Sequence, residues 1–225
     1  LTLRDALYST LLGSDNVSAL TIASFVGRDL VSRRGSGTPI AAFVSEMNNL
    51  ARSLRMTKTR FTAPHGLDAG NAVSTSCALD MALLGMYSMQ NPAFCYIVSQ
   101  ASRRIGVQSQ TKGTTMYDIS NNNKMMSTPG VDGIKAGSSR AAGQCLLLSA
   151  TRNAIARRSP QTGTEVIYPQ RMIIAVLGTG ERYSLARQML NTGWRVWENW
   201  QASGMDMKDP KEFVQLPVKS GTEKR

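Results

Sequence analysis

The chain has 225 residues, 42% of them hydrophobic and 18% charged, which excludes intrinsic disorder and gives enough length for a sizeable core in one or two domains. Lys and Arg outnumber Asp and Glu by 26 to 15, a net charge of +11, so the surface attracts anions such as nucleic acid, anionic lipid headgroups or acidic wall polymers. The basic residues are scattered, with short pairs at Arg33-Arg34, Arg103-Arg104 and Arg157-Arg158 and few aromatics among them, which favours a solvated basic surface over a nucleic-acid stripe.

Thr2-Leu3-Arg4-Asp5 has the pattern of a capping box and opens a helix, with Leu3, Leu7 and Leu11 at i+4 spacing predicting one buried face that ends at Gly13. Ser14-Asp15-Asn16 breaks the pattern. The stretch from Val17 to about Ser32, carrying Leu20, Ala23 and Leu30, reads as a buried helix, and residues 33–37 as a loop. Thr38-Pro39 starts another helix, with Pro in the first turn where its missing N–H costs nothing; Ile40, Phe43, Val44, Met47, Leu50 and Leu54 form its apolar face. Residues 60–68 read as a short extended piece entering a turn. Ser74-Thr75 is the expected cap of a helix with Ala78, Met81, Ala82, Gly85, Met86 and Met89 on one side, closed by Asn91-Pro92.

Strand character follows at 96–98, 104–107 and 114–119. Gly130-Val131-Asp132-Gly133 reads as a tight turn into a short strand that ends near Lys135. The apolar runs 145–150 and 172–177 suit central strands buried on both faces and, with the Lys135 strand, make an antiparallel meander. Between them, 153–170 is polar with two prolines, a longer hairpin excursion. A last helix is predicted over about 181–191, with Leu185, Met189 and Leu190 inward; Trp194, Trp197 and Trp200 follow at i+3 spacing and are set to bury against the sheet. From Gly204 the chain turns polar. Helices first, strands next and a final helix describe an α+β layer architecture.

Cys77, Cys95 and Cys145 lack metal-ligand spacing and read as apolar fillers, and the single histidine, His65, excludes a His-rich metal cluster. No apolar run of about 18 residues predicts a membrane span. The chain opens at Leu1 with neither Met nor a signal peptide, the pattern expected of a piece of something longer.

Two short patterns carry chemistry: Ser14-x-Asn16 at a helix-to-helix corner and Lys135-x-Gly137 at a strand end. Each alone is weak, since Ser-x-Asn arises by chance in about every second chain of this length. The plain readings are a helix cap for Ser14 and a surface lysine for Lys135. Their order and their placement at element ends give them weight.

With these motifs the chain resembles the D-alanyl-D-alanine carboxypeptidase family, the low-molecular-weight penicillin-binding proteins. The match runs through Leu11-Leu12-Gly13-Ser14-Asp15-Asn16, Phe61-Thr62-Ala63-Pro64-His65-Gly66-Leu67-Asp68, Val131-Asp132-Gly133-Ile134-Lys135-Ala136-Gly137, Ala142-Gly143-Gln144-Cys145-Leu146 and Ile173-Ile174-Ala175-Val176-Leu177-Gly178. It covers about residues 1 to 200. The resemblance implies a β-lactamase/penicillin-binding transpeptidase-like α+β fold, an antiparallel sheet flanked by helices, over 1–203. It makes 204–225 a linker or the start of a further C-terminal domain, which the stretch 211–218 resembles. It also implies serine-type hydrolysis of the terminal D-Ala-D-Ala bond of peptidoglycan stem peptides through an acyl-enzyme. β-lactam binding comes with it, without metal or cofactor and without a nucleic-acid partner. The implied location is periplasmic or otherwise extracytoplasmic, with room for peripheral membrane association through a further C-terminal segment.

The same resemblance assigns roles. Ser14 relays a proton between the nucleophile's lysine and the leaving amine. Asn16 hydrogen-bonds the substrate amide and holds that lysine, and Lys135 directs positive charge at the substrate carboxylate and the relay. Ala136 and Gly137 line the substrate-facing strand, Gly137 permitting close approach. The Ser138 N–H faces the oxyanion, Ser139 lines the same edge, and Arg182 recognises the carboxylate.

Two departures stand against this pattern. The family's Ser-x-x-Lys, which carries the acylated serine, is absent from the thirteen residues before Ser14, and the later Ser109-Gln110-Thr111-Lys112 has the wrong order and location. The usual Lys-Thr-Gly reads Lys135-Ala136-Gly137, which removes one hydrogen bond worth about 1 kcal/mol. Both departures support a second reading, an inactive homologue that binds wall peptide or a partner without cleavage. A Ser-His-Asp hydrolase built on His65 and Asp68 lacks the nucleophile elbow, so His65 is expected to fix loop geometry.

Overall fold

The computed structural model describes residues 1–67, 73–109, 111, 113–158 and 163–204. Asp68, Gln110, Lys112 and the expected linker beyond Gly204 lie outside the described residues.

Helix α1 (Leu3–Leu11) starts on the expected capping box: Thr2 Oγ1 accepts from the Asp5 N–H at 3.1 Å and donates to Asp5 Oδ2 at 2.7 Å. Its buried face is Ala6, Tyr8, Ser9 and the following Leu12, and Leu3 is 45% exposed. The leucine row gives way because Tyr8 and Leu12 pack on Ile105 of the first strand, one ridge around the helix.

Helix α2 (Asn16–Arg34) is not the buried helix its leucines suggest. Val17, Leu20 and Phe25 are exposed, and the packed side is Ser18, Ala19, Ala23 and Gly27. The small side chains let it lie close against α3 (Pro39–Ser53): a Cβ on Gly27 would fall 1.9 Å from the Pro39 carbonyl oxygen. Thr38 caps α3 as expected, accepting from the Ala41 N–H at 3.3 Å with Pro39 in the first turn.

Ser74 and Thr75 do not cap α4 (Ala78–Ser88). Thr75 pairs with Arg60 in an isolated antiparallel bridge, Ser74 Oγ accepts from the Thr62 N–H at 3.1 Å, and Cys77 starts the helix without a side-chain cap. The predicted strand at 96–98 is the end of a helix, α5 (Pro92–Val98). Asn91 caps it by accepting from the N–H groups of Ala93 and Phe94, and that cap with Pro92 behind it outweighs the β-branched pair Ile97-Val98.

Strands β1 (Ser102–Ser109) and β2 (Gly113–Ser120) contain the strand-like stretches 104–107 and 114–119 and pair antiparallel as a sheet of their own. After a 3₁₀ turn (Lys124–Ser127) come β3 (Val131–Ser139), β4 (Gly143–Arg158) and β5 (Glu165–Thr179), antiparallel in the order β3-β4-β5, the predicted meander. Along the apolar runs both faces of this sheet are buried, successive residues pointing to opposite sides. Leu146, Leu148, Ile174 and Val176 meet α6 (Arg182–Ala202), and Ile134, Leu147 and Ala175 meet Met89 and Val98.

Helix α6 is longer than predicted and contains all three tryptophans. Trp194 is buried with Ala186 and Leu190 at i+4 spacing, whereas Leu185 and Met189, one residue back on the wheel, are 38% and 46% exposed. Trp197 Nε1 donates to Gln170 Oε1 at 2.8 Å. The three cysteines are free and half-buried, so they fill less of the core than expected. No described helix is long and apolar enough to cross a membrane.

Candidate active site

The corner between α1 and α2 is a forced bend. Ser14 sits at φ +61°, in the left-handed region that a residue with a Cβ rarely adopts. The next residue holds the bend. Asp15 is the N-cap of α2 and accepts from Val17 N at 3.3 Å and Ser18 N at 2.8 Å, so the plain capping reading belongs to Asp15 and not to Ser14. Hydrogen bonds from Ser18 keep the Asp15 carboxyl below the usual carboxylate range. The Ser14 hydroxyl is left free to face β3.

There it meets Lys135, 121 residues away in sequence: Lys135 Nζ donates to Ser14 Oγ and, at 2.6 Å, to the Ala136 carbonyl. The Ser14 hydroxyl lies 3.5 Å from the same carbonyl. Burial first, and the like charge of Arg182 second, together lower the Lys135 pKa from 10.5 to about 8. A lysine at that value is roughly one-tenth neutral at pH 7, so it can give and take a proton under ordinary conditions. With no His or carboxylate needed, a lysine and a hydroxyl in contact make a two-member proton relay.

The other sequence candidates fall unevenly around this pair. Asn16, at the first position of α2, is half-buried, and its side chain makes no hydrogen bond with a described residue. Gly137 and Ser138 are exposed on β3, which has no strand on its outer side among the described residues. A Cβ added at Gly137 would meet nothing within 4 Å, so the strand borders open space there. Ala136 contributes its carbonyl to the relay, but its methyl is 3% exposed and packs in the core with Met125 and Leu146. Ser139 Oγ accepts from the Ala142 N–H at 3.0 Å and thereby closes the β3-β4 turn.

Arg182 opens α6. Its Nη1 donates to the Gly137 carbonyl at 2.6 Å, and its guanidinium stacks 4.8 Å from the Tyr183 ring; Nε is buried without a partner among the described residues. A cation at a helix N-terminus beside a second cation is electrostatically unfavourable, since the helix end is itself positive. An anion between them would relieve both terms. His65, by contrast, stands apart: its Nδ1 accepts from the Leu67 N–H at 3.1 Å, a local loop contact.

Asn122 escaped the sequence reading. Its backbone N–H reaches the Leu12 carbonyl at 3.0 Å, and its Nδ2 donates to the Gly13 carbonyl at 2.8 Å and lies 3.4 Å from Ser14 Oγ. Its carbonyl accepts from Tyr183 Oη at 3.1 Å, so it links the Ser14 bend to the start of α6. The run Asn121-Asn122-Asn123 was the available signal. Asn123, 2% exposed, is structural: it binds the Met125 N–H and the Gly133 carbonyl.

Residues 1–159 match the family described as D-alanyl-D-alanine carboxypeptidase (peptidase family S11). Among curated proteins, DacA of Escherichia coli K12 is 29% identical over 189 residues, covering 82% of this chain and 40% of that protein. DacC of the same organism is 30% identical over 164 residues, 70% and 34% respectively. The chain therefore spans less than half the length of these relatives. Among solved structures, the penicillin-binding protein homologue Rv2911 of Mycobacterium tuberculosis superposes with TM-score 0.61 at 26% identity, over 79% of this chain and 56% of that one. A mutant of the Streptomyces K15 DD-transpeptidase gives TM-score 0.70 over 87% and 69%; at 24% identity it speaks for the fold alone. Penicillin-binding protein D2 of Listeria monocytogenes, in its cefotaxime-bound form, gives 0.61 at 25% identity, over 86% and 67%.

The fold is thus that of the penicillin-binding transpeptidases. Within that class, the chain belongs to the D-alanyl-D-alanine carboxypeptidase family.

Proposed function

We propose that this chain supplies the relay and substrate-strand half of a serine-type D-Ala-D-Ala carboxypeptidase acting on peptidoglycan stem peptides. One observation carries the reading: Lys135 Nζ bonded to Ser14 Oγ beside the open edge of β3. In the proposed reaction a serine attacks the penultimate D-Ala carbonyl and gives its proton to the lysine of its own Ser-x-x-Lys. As the C–N bond breaks to leave an ester on that serine, the leaving D-Ala nitrogen takes the Ser14 proton, Lys135 Nζ re-protonates Ser14, and the nucleophile's lysine passes its proton back to Lys135. The nucleophile's Ser-x-x-Lys is not present among residues 1–13. Ser138 N–H is the proposed oxyanion donor, with Ser139 beside it, Asn16 the amide ligand, and Arg182 with Lys135 the positive pair facing the terminal carboxylate. That assignment accounts for two converging cations that the fold alone leaves unbalanced. The proposed setting is the periplasm or another extracytoplasmic face of the envelope, with β-lactams as substrate mimics.

The test is intact-mass spectrometry after incubation with benzylpenicillin, run on the natural gene product with any residues that precede Leu1. One adduct per chain, lost in Ser14→Ala on the minute scale, is the expected result. Folded protein that gains no mass fits the second reading, a wall-peptide binder without cleavage. Ala136, in place of the usual Thr, favours that one.

A further inference from the structure

The surplus positive charge is not evenly compensated. From Met47 to Leu67 the chain contains no acidic residue, while Arg52, Arg55, Lys58 and Arg60 fall within nine positions. None of the four takes part in an ion pair among the described residues. The nearest acid on α3, Glu46, is held by Arg34 at 2.7 Å, and that hydrogen bond keeps its carboxyl below the usual range. Asp80 lies beneath this segment at 2% exposure and spends its Oδ2 on the Lys58 backbone N–H and the Thr59 hydroxyl, both at 2.8 Å.

These bonds do more than cover a carboxylate. They fix a turn that would otherwise be mobile. Met56 N–H reaches the Ala51 carbonyl at 2.9 Å, Arg60 and Thr75 exchange two backbone bonds at 2.9 Å, and Asn48 clamps Phe61 through both its backbone groups at 2.8 Å. Arg55 sits at φ +58°, a second left-handed residue that such a locked turn can sustain. Between α3 and this turn runs a shallow groove open to solvent, made of two adjoining hollows of about 570 and 510 Å³, which share Ser45, Asn48 and Arg60. One end is apolar, with Ile40, Val44 and Phe61; the other is lined by Arg52, Thr57 and Thr59.

We propose that this groove is a binding site for an anionic saccharide chain, with Arg52 and Arg60 meeting its carboxylate or phosphodiester groups. Each part of the lining suits that ligand. Guanidinium groups pair with carboxylate and phosphate in a planar fork. The Ser45 and Thr57 hydroxyls suit sugar hydroxyls, and an apolar end with one aromatic suits a pyranose face. A pre-ordered wall lowers the ordering cost of binding. A single aromatic is too few for the successive stacking that single-stranded nucleic acid uses. None of these residues belongs to the Ser14–Lys135 site, so the inference stands or falls apart from the carboxypeptidase reading.

The experiment measures binding of this chain by isothermal titration at low salt to four probes: oligogalacturonate, a phosphodiester-linked N-acetylglucosamine polymer, a neutral chito-oligosaccharide and a DNA duplex. The expected result is that one or both anionic saccharides bind and the neutral one does not; whichever binds tighter identifies the charged group. Arg52→Gln with Arg60→Gln should weaken binding at least tenfold, whereas Arg187→Gln with Arg195→Gln, removing equal charge from α6, should change it less than threefold. Ser45→Trp, which fills the groove without altering charge, should abolish it in protein that melts normally. Equal losses in the two double variants, binding untouched by Ser45→Trp, tighter binding to DNA, or no binding at all would each overturn the proposal.

Discussion

The β4-β5-α6 sandwich and the Ser14–Lys135 corner adjoin through β3, whose Lys135 pairs with Leu147 of β4, and are built on opposite terms. In the sandwich, Leu146, Leu148, Ala150, Ile174, Ala186 and Trp194 are buried in a contiguous apolar cluster with ordinary backbone geometry. At the corner, a lysine is buried beside an arginine, and a serine occupies left-handed backbone that glycine would take more easily. One region supplies stability; the other consumes it. A fold can hold a pre-formed relay only because the neighbouring core over-determines the strand that carries it.

Replacing Lys135 gives the largest contrast. Lys135→Met in the natural gene product should lower the penicillin acylation rate by about 10²- to 10⁴-fold, the usual worth of a positioned acid–base group. The same substitution should raise stability. Lys135 falls from 10.5 to about 8 on folding, so between those values the unfolded chain holds more protons than the folded one. Stability therefore rises with pH across that window, and below pH 8 the cost of the buried charge is present in full. Methionine removes that cost, about 1–3 kcal/mol after the lost hydrogen bonds are counted. Urea unfolding at pH 7 and pH 10 checks it: wild type should gain on going to pH 10 and the variant should show no gain from this site. A variant less stable than wild type at pH 7 would end the idea that the corner is held at a cost.

Leu148, fully buried at the centre of β4, offers the opposite case. Leu148→Ala should cost about 2–5 kcal/mol of stability, read as a lower urea midpoint at unchanged slope. The Lys135 titration, followed by NMR of its ammonium or Cε, should keep its midpoint near pH 8 while the protein remains folded. A midpoint that moves back toward 10.5 would show that the core and the corner are not separable.

The same division governs what could be read in the sequence. The meander was legible because strands buried on both faces appear as unbroken apolar runs, as at 145–150 and 172–177. Ser14 and Lys135 were legible as motifs, and their contact follows from topology that neither triplet contains. Helix α5 was misread because Ile97 and Val98 carry strand propensity while the decisive information sits at Asn91 and Pro92. On the packed side of α2, Ala23 was legible, whereas Gly27 was hidden because close helix contact selects a glycine that periodicity in large apolar residues does not register. Asn122 has no recognisable spacing at all; its role comes from four contacts to residues more than sixty positions away.

The smallest predicted effect separates strain from chemistry at Ser14 itself. Ser14→Ala and Ser14→Gly both remove the hydroxyl, so both should lose the relay and acylate equally slowly. They differ only in backbone freedom. Alanine keeps the Cβ at φ +61°, whereas glycine adopts that region at no steric cost, so the glycine variant should be more stable than the alanine variant by about 1 kcal/mol. In the unfolded chain glycine has more freedom to lose, which works against this gain, so a positive difference measures strain that exceeds the entropy term. If the two variants melt together, or alanine is the more stable, the Asp15 cap and the Asn122 bonds hold a bend that costs the fold nothing. The corner's expense would then rest on Lys135 alone.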